Sequence, residues 1–258
     1  MRLEQQLLTR NDCYKTGRTI APLGVMVHST GANNPWVCRY VPGNETLGYN
    51  TGGNHWDRSG LTKCVHAFVG KFADGKVGVV QTLPWTRRGW HAGSGDTKPS
   101  ANNTHIGFEI CEDGLNDGDY FMEAYNTAVE LVAMLCKQYD LDPLADGVVI
   151  CHSEGHQRGV ASNHGDVMHW FPRFGRNMDN FRADVARVMR GEDEVTQEQF
   201  DAMLENYFAR KEQEQADQPW EKITLEKAMA SGISDGYRPR AGATRVETMA
   251  MILAAVGK

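Results

Sequence analysis

The chain has 258 residues, 41% hydrophobic and 23% charged, which is typical of a globular protein with room for one full domain and a smaller unit. Its net charge of −6 argues against a nucleic-acid binder that relies on phosphate contacts. No apolar run approaches the ~18 residues that a membrane span requires, and the charged start at residues 1–6 predicts no signal peptide. We therefore expect the chain to stay in the cytoplasm of the cell that makes it until another factor releases it.

The first half of the chain contains three short apolar runs that predict strands. Val25–Val27 is the first, and a loop of small residues follows it. Residues 33–60 are rich in Asn, Gly and Trp, and they are interpreted as loop with one helical turn at most. The runs at 64–70 and 78–83 flank an Asp74-Gly75 turn, so they predict a β-hairpin.

An aromatic and glycine-rich loop follows this hairpin. Trp85 leads into residues 89–95, which include Trp90 and His91. Flat aromatic faces next to flexible glycines suit the rim of a substrate groove, so we expect these three side chains to bind substrate. Packing in the core is the alternative role for both tryptophans.

The next strand contains a candidate catalytic acid. Residues 105–111 alternate between polar and apolar side chains, which predicts a strand. Glu109 is the one acidic residue inside this segment. A carboxylate in a sheet interior is costly unless it is paired or functional, so Glu109 is a candidate for chemistry.

Helical periodicity and charge divide the chain into parts. Residues 120–139 and 181–189 each have apolar residues at helical spacing, and the second helix is expected to close a first domain at residues 1–190. Residues 191–219 are interpreted as an acidic break, a polar helix and a linker. Residues 220–258 are expected to form a small helical C-terminal module.

A histidine-rich segment carries the main candidate site. Residues 152–169 contain four of the nine histidines and Asp166, directly after a short β-branched run. His28 ends an earlier strand in the same way. Neutral imidazoles with a carboxylate are the ligand set of a catalytic zinc, although any single histidine here could simply hydrogen-bond locally. Gly155 and its neighbours argue against a helix between His152 and His156, so the helical His-Glu-x-x-His type of zinc site is not expected.

Five separated motifs carry a resemblance to a known family. They are Met26–Thr30, Leu83–Trp85, Trp90–Gly93, Ile106–Cys111 and Cys151–Glu154. With these motifs the first ~190 residues resemble the zinc-dependent N-acetylmuramoyl-L-alanine amidases of the amidase-2 type. That family shares its fold with the peptidoglycan recognition proteins and includes many phage endolysins. The opening at residues 7–14 and the run at 161–171 look like its clostridial branch.

The resemblance implies an α/β fold with a mixed central sheet flanked by helices, and it assigns roles to residues. His28, His152 and Asp166 correspond to the zinc ligands, and Glu109 corresponds to the catalytic carboxylate. His164 stands where the family has a lysine that stabilises the oxyanion. The sequence does not settle which residue is the third zinc ligand. The alternatives to Asp166 are His164, His156 and His169.

The implied function is zinc-dependent hydrolysis of the bond between N-acetylmuramic acid and L-alanine in bacterial peptidoglycan, with Gram-positive walls as the expected substrate. An endolysin would accumulate in the host cytoplasm before its release. The alternatives are a peptidoglycan-binding module without activity and a cytosolic amidase that recycles muropeptides. The module at 220–258 resembles a surface-layer-homology repeat, which could bind the wall or form a homodimer.

Overall fold

The structure is a computed structural model, and it describes residues 1–191, 201, 204–207 and 226–232. The chain divides into two compact units, Met1–Asp193 and Glu194–Lys258. In the second unit, residues 204–207 and 226–230 are helical. The rest of the expected polar helix, linker and C-terminal module lies outside the described residues.

The first unit is an α/β domain. Its strands are β1 Leu3–Gln5, β2 Gly24–Ser29, β3 Gly43–Asn44, β4 Gly48–Tyr49, β5 Ala67–Lys71, β6 Val77–Gln81, β7 His105–Ile110 and β8 Val149–Cys151. Its helices are α1 Asp12–Lys15, α2 Gly118–Tyr139, α3 His152–Gln157 and α4 Met178–Arg190. Six strands form one sheet in the order β1-β6-β5-β7-β2-β8, in which β5 and β6 are antiparallel and the other pairs are parallel. The predicted mixed sheet flanked by helices is therefore confirmed.

One face of the sheet packs against α2 and forms the main core. Asp117 caps the start of α2 by accepting a hydrogen bond from the Tyr120 backbone N–H at 3.0 Å. The buried face of α2 then contributes apolar side chains at helical spacing, among them Phe121, Leu131 and Leu135. Each large side chain buried in this way contributes roughly 1.5–3 kcal/mol through removal of apolar surface from water.

The opposite face of the sheet is where polar side chains lie among apolar ones. The register places Phe68 of β5, Glu109 of β7 and His28 of β2 next to one another. Phe68 belongs to one apolar cluster and Met26 to another. Two polar side chains on adjacent strands of a sheet interior mark this face as the location of a site.

Three elements differ from the sequence-based expectation. Residues 1–20, for which no strand was predicted, contain β1, which pairs in parallel with β6. The segment at 33–60, which was interpreted as loop, contains the β3–β4 hairpin. The segment after β8 forms helix α3, so the prediction that residues 152–156 are not helical was wrong. Among the described residues, the structure contains no helix with the length and hydropathy that crossing a membrane requires.

Helix α3 tolerates its glycine because of tertiary packing. A Cβ on Gly155 would lie 2.8 Å from the Met26 methyl group, so glycine allows the helix to approach the sheet closely. The Glu154 carboxylate accepts the Cys151 N–H at 3.1 Å, and Arg182 of α4 binds the same carboxylate at 3.0 and 3.1 Å. This cap begins the helix at His152 and so fixes the direction of its side chain.

Candidate metal centre

Three predicted ligands converge at the carboxyl ends of two paired strands. Val27 of β2 pairs with Cys151 of β8, so the residues that follow, His28 and His152, are neighbours. Their Nδ1 atoms are 3.1 Å apart. Asp166 Oδ2 lies 3.1 Å from Nδ1 of His28 and 3.5 Å from Nδ1 of His152.

The spacing and chemistry of these donors fit a metal ion. Zinc holds nitrogen and oxygen ligands at about 2.0–2.2 Å, which places tetrahedral ligand atoms roughly 3.3–3.5 Å apart. The three observed separations, 3.1, 3.1 and 3.5 Å, are close to that value. Two imidazoles and one carboxylate leave a fourth position open, which is the pattern of a catalytic rather than a structural zinc site.

The electrostatics of the group also suit a cation. Burial lowers the pKa of His28, whose side chain is 1% exposed, and so favours the neutral, ligating form. Burial alone would raise the pKa of Asp166, but its contacts with His152 and His28 outweigh that effect and lower the pKa well below its usual value. The centre therefore combines a neutral imidazole with an ionised carboxylate.

Glu109 lies beside this centre with an unsatisfied oxygen. It pairs with His28 in the β2–β7 register. Its Oε2 atom is buried and makes no hydrogen bond within the described part of the chain. Burial raises the pKa of Glu109 well above its usual value, and the negative charges of Asp166 and Glu112 raise it further. A buried carboxyl with an unused oxygen and a raised pKa has the properties of a general acid–base group.

The alternative third ligands occupy different surroundings. His164 is exposed and lies against His152, with ring centroids 4.5 Å apart, and its Nδ1 is 3.2 Å from Ser162 Oγ. His156 Nδ1 instead pairs with Asp96 at 3.2 Å. His169 Nε2 is 2.8 Å from the buried Glu112 carboxylate. His28, His152 and Asp166 thus form the potential metal-binding group, with His164 next to it.

The residues expected to bind substrate separate into three environments. Trp85 packs against the main core, as the packing alternative anticipated. Trp90 is 39% exposed, with the Arg88 guanidinium 5.3 Å from its ring centroid. His91 lies against His28, since its Nδ1 is 3.0 Å from His28 Nε2, and burial lowers its pKa well below the usual value.

Sequence reasoning missed two residues that support the site. Glu112 is 3% exposed, and its Oε1 accepts the Gly31 N–H at 3.1 Å in addition to contacting His169. Asn102 is fully buried, and its Oδ1 accepts the backbone N–H groups of His91 and Ala92 at 2.7 and 2.9 Å. Glu112 follows the strand of Glu109 directly, which is the one sequence signal that could have indicated it.

The chain also has similarities to known proteins. Residues 18–169 match the family model Amidase_2, described as N-acetylmuramoyl-L-alanine amidase. A curated relative, the N-acetylmuramoyl-L-alanine amidase CwlA of Bacillus sp, is 39% identical over 62 residues. That alignment spans 24% of this chain and 24% of the relative, so the chain matches about a quarter of the relative's length.

Two solved structures share the fold. The hydrolase AmiA of Staphylococcus aureus in complex with its ligand has a TM-score of 0.55 and 17% identity, over 73% of this chain and 83% of that one. PlyL has a TM-score of 0.51 and 22% identity, over 72% of this chain and 97% of that one. The family match covers more than half of the chain and includes every residue of the candidate centre, so this protein belongs to the Amidase_2 family of N-acetylmuramoyl-L-alanine amidases.

Proposed function

We propose that this protein is a zinc-dependent N-acetylmuramoyl-L-alanine amidase that cleaves bacterial peptidoglycan. The observation that carries the proposal is the convergence of His28, His152 and Asp166 beside the unpaired carboxyl of Glu109. In a member of the Amidase_2 family, this geometry supports amide hydrolysis by an activated water. Zinc bound to the three residues would supply Lewis acidity and lower the pKa of a bound water toward ~7.

Glu109 would move the protons of the reaction. It takes a proton from the attacking water as the water oxygen bonds to the lactyl carbonyl carbon of N-acetylmuramic acid. It then gives a proton to the nitrogen of L-alanine as the carbon–nitrogen bond breaks. The reaction leaves a carboxylic acid on the sugar and a free amine on the peptide. The carboxyl that takes up the proton in the first transfer is thus the donor in the second.

His164 would stabilise the negative charge that develops on the carbonyl oxygen. Its exposed imidazole next to His152 can approach a substrate bound at the open side of the centre. An imidazole N–H of His164 can donate a hydrogen bond to that oxygen. Trp90, with its exposed face, would contact the glycan or peptide on the same rim.

The biological setting follows from the resemblance to phage members of the family. We infer that the protein is an endolysin of a phage or prophage that acts on a Gram-positive wall, after storage in the host cytoplasm. The C-terminal unit would keep the enzyme on the wall, or pair two copies of it. The likeness to the clostridial branch remains a prediction.

The test is the release of new chain ends from purified Gram-positive walls by the full chain. We expect new alanine amino groups without new reducing sugar ends, and we expect a zinc chelator to abolish them. Muropeptide binding without any release would indicate a recognition module instead. New reducing ends would indicate a glycosidase, and activity on soluble muropeptides but not on walls would indicate a recycling enzyme.

A further inference from the structure

We propose that His91 is a positioning residue that fixes the tautomer of His28, so that Nδ1 of His28 presents its lone pair to the metal. The proposal rests on the metal centre of the proposed function and adds a residue to its support. His91 acts through His28 and is not itself a ligand or a catalytic residue.

The carbonyl oxygen of His105 determines which nitrogen of His91 carries the proton. Nε2 of His91 is 3.1 Å from the carbonyl oxygen of His105, and a carbonyl can only accept a hydrogen bond. The proton of the neutral His91 ring is therefore on Nε2, which leaves Nδ1 as an acceptor. That Nδ1 atom is 3.0 Å from Nε2 of His28, so the contact requires His28 to donate from Nε2. Nδ1 of His28 then carries a lone pair.

The consequence is that two acceptors, Nδ1 of His28 and the carboxylate of Asp166, lie next to each other in the centre. The lone pair on Nδ1 of His28 is directed at Asp166 Oδ2, 3.1 Å away, and at Nδ1 of His152, also 3.1 Å away. The other tautomer would place a proton on Nδ1 and donate it to Asp166. That arrangement would satisfy the centre internally and compete with metal binding. By accepting from Nε2, His91 disfavours the competing tautomer.

The fold holds His91 in place for this contact. A Cβ at Gly107 of β7 would lie 2.4 Å from Cγ and Nδ1 of His91, so only glycine leaves space for the ring there. The buried side chain of Asn102 accepts the His91 backbone N–H and donates to the carbonyl of Gly93 at 2.8 Å. The ring and the backbone of His91 are thus held by separate partners, as expected of a residue that orients a metal ligand.

The first test needs no substitution. In the full chain, free of metal and labelled with nitrogen-15 in histidine, the ring nitrogen shifts of His28 report its tautomer. We expect a proton on Nε2 and a bare Nδ1. A proton on Nδ1 of His28 would overturn the proposal directly, and this measurement stands even where a variant fails to fold.

The second test compares His91→Leu with His91→Asn by zinc competition against a chelator of known affinity. Leucine removes the acceptor, and we expect zinc affinity to fall about 10- to 100-fold. Asparagine has an amide oxygen near the position of Nδ1, so we expect its affinity within a few-fold of the unchanged chain. Equal losses in both variants, or no loss in His91→Leu, would contradict the proposal.

His66→Leu is the matched control. His66 is a fully buried histidine near the same loop, whose ring accepts from the Gly107 N–H and contacts the Arg87 carbonyl. Its loss costs packing and backbone hydrogen bonds, but zinc affinity is expected to stay unchanged. The readout is zinc binding, so it separates the two proposals. Unchanged zinc affinity in His91→Leu, with wall digestion by the unchanged chain, would defeat this inference alone. Weakened zinc binding in His91→Leu, with no wall digestion by the zinc-loaded unchanged chain, would defeat only the amidase.

Discussion

The sheet side and the loop side of the centre are supported in different ways. His28 and His152 follow paired strands, and both side chains are almost fully buried, 1% and 5% exposed. Asp166 comes from the loop after α3, and its side chain is 18% exposed. The difference indicates that the strand register positions two ligands, whereas contacts outside the sheet must hold the third.

The ties on the loop side are few and identifiable. The Asp166 carbonyl accepts the Ser153 N–H at 3.3 Å, which connects the loop to the start of α3. Three residues later, His169 contacts the carboxylate of Glu112, which also holds Gly31 beyond the end of β2. Loss of a ligand on the sheet side should therefore abolish metal binding, whereas loss of a supporting contact on the loop side should have a smaller effect.

The largest effect is expected on the sheet side, from His28→Ala. Removal of this ligand leaves two donors for the metal, so we expect no zinc after dialysis and no amidase activity. Metal analysis of the dialysed protein measures the first effect, and wall digestion the second. His156→Ala is the control, because His156 pairs with Asp96 away from the ligand group, and it should retain zinc. Full zinc content in His28→Ala would contradict the site.

Glu109→Gln should separate chemistry from binding. The amide keeps the shape of the side chain but cannot accept the water proton, so we expect activity to fall about 10²- to 10⁴-fold. Zinc content and fold should be unchanged. The rate of release of alanine amino groups is the measurement, and a variant that digests walls at the normal rate would remove Glu109 from the mechanism.

On the loop side, His164→Ala should reduce the rate by about 10²-fold, the typical cost of losing one oxyanion donor. Zinc content should not change, because His164 lies beside His152 and outside the ligand group. Loss of zinc from His164→Ala would instead make His164 a ligand.

The buried Glu109 also predicts how the metal-free domain responds to pH. The pKa of Glu109 in the folded chain is raised well above its ordinary 4.5, so its contribution to stability is complete below 4.5 and is lost as pH rises toward the folded value. The melting temperature of the metal-free chain should therefore fall by a few degrees relative to Glu109→Gln as pH rises from ~4. A constant difference between the two proteins across pH would contradict this assignment.

The smallest effect is expected from His169→Ala. The imidazole is 41% exposed, so its contact with Glu112 should contribute under ~1 kcal/mol to the free energy of unfolding. Denaturant unfolding measures the change, with Met168→Ala as a control of similar exposure, 40%. A loss of several kcal/mol would show that the loop side is held as firmly as the sheet side.

The sequence predicted the parts of the fold that local patterns determine. Strands β2, β5, β6 and β7 and helices α2 and α4 follow from apolar periodicity and from the Asp74-Gly75 turn. Strand β1 has three residues, and its pairing with β6 joins distant parts of the chain, so no local pattern indicates it. Helix α3 was missed because Gly155 argued against a helix. Glycine is needed there because Met26 of the sheet leaves no room for a Cβ, and this tertiary packing is not visible in the local sequence.

The sequence predicted which residues form the candidate site, but only some of the contacts between their side chains. His28 and His152 stand at the ends of strands that the sequence indicates, and Glu109 stands inside another. The resemblance to the family added Asp166 to the predicted site. The contact between His91 and His28 depends on the space above Gly107, which no spacing along the chain reveals. The role expected for His91 in substrate binding stays a prediction.

The most direct test of the account is a crystal structure of the zinc-loaded chain with anomalous data collected on both sides of the zinc absorption edge. We expect one strong zinc peak between Nδ1 of His28, Nδ1 of His152 and a carboxylate oxygen of Asp166, with a water near Glu109. A peak bound by other residues, or no peak after zinc loading, would contradict the metal centre and the mechanism built on it.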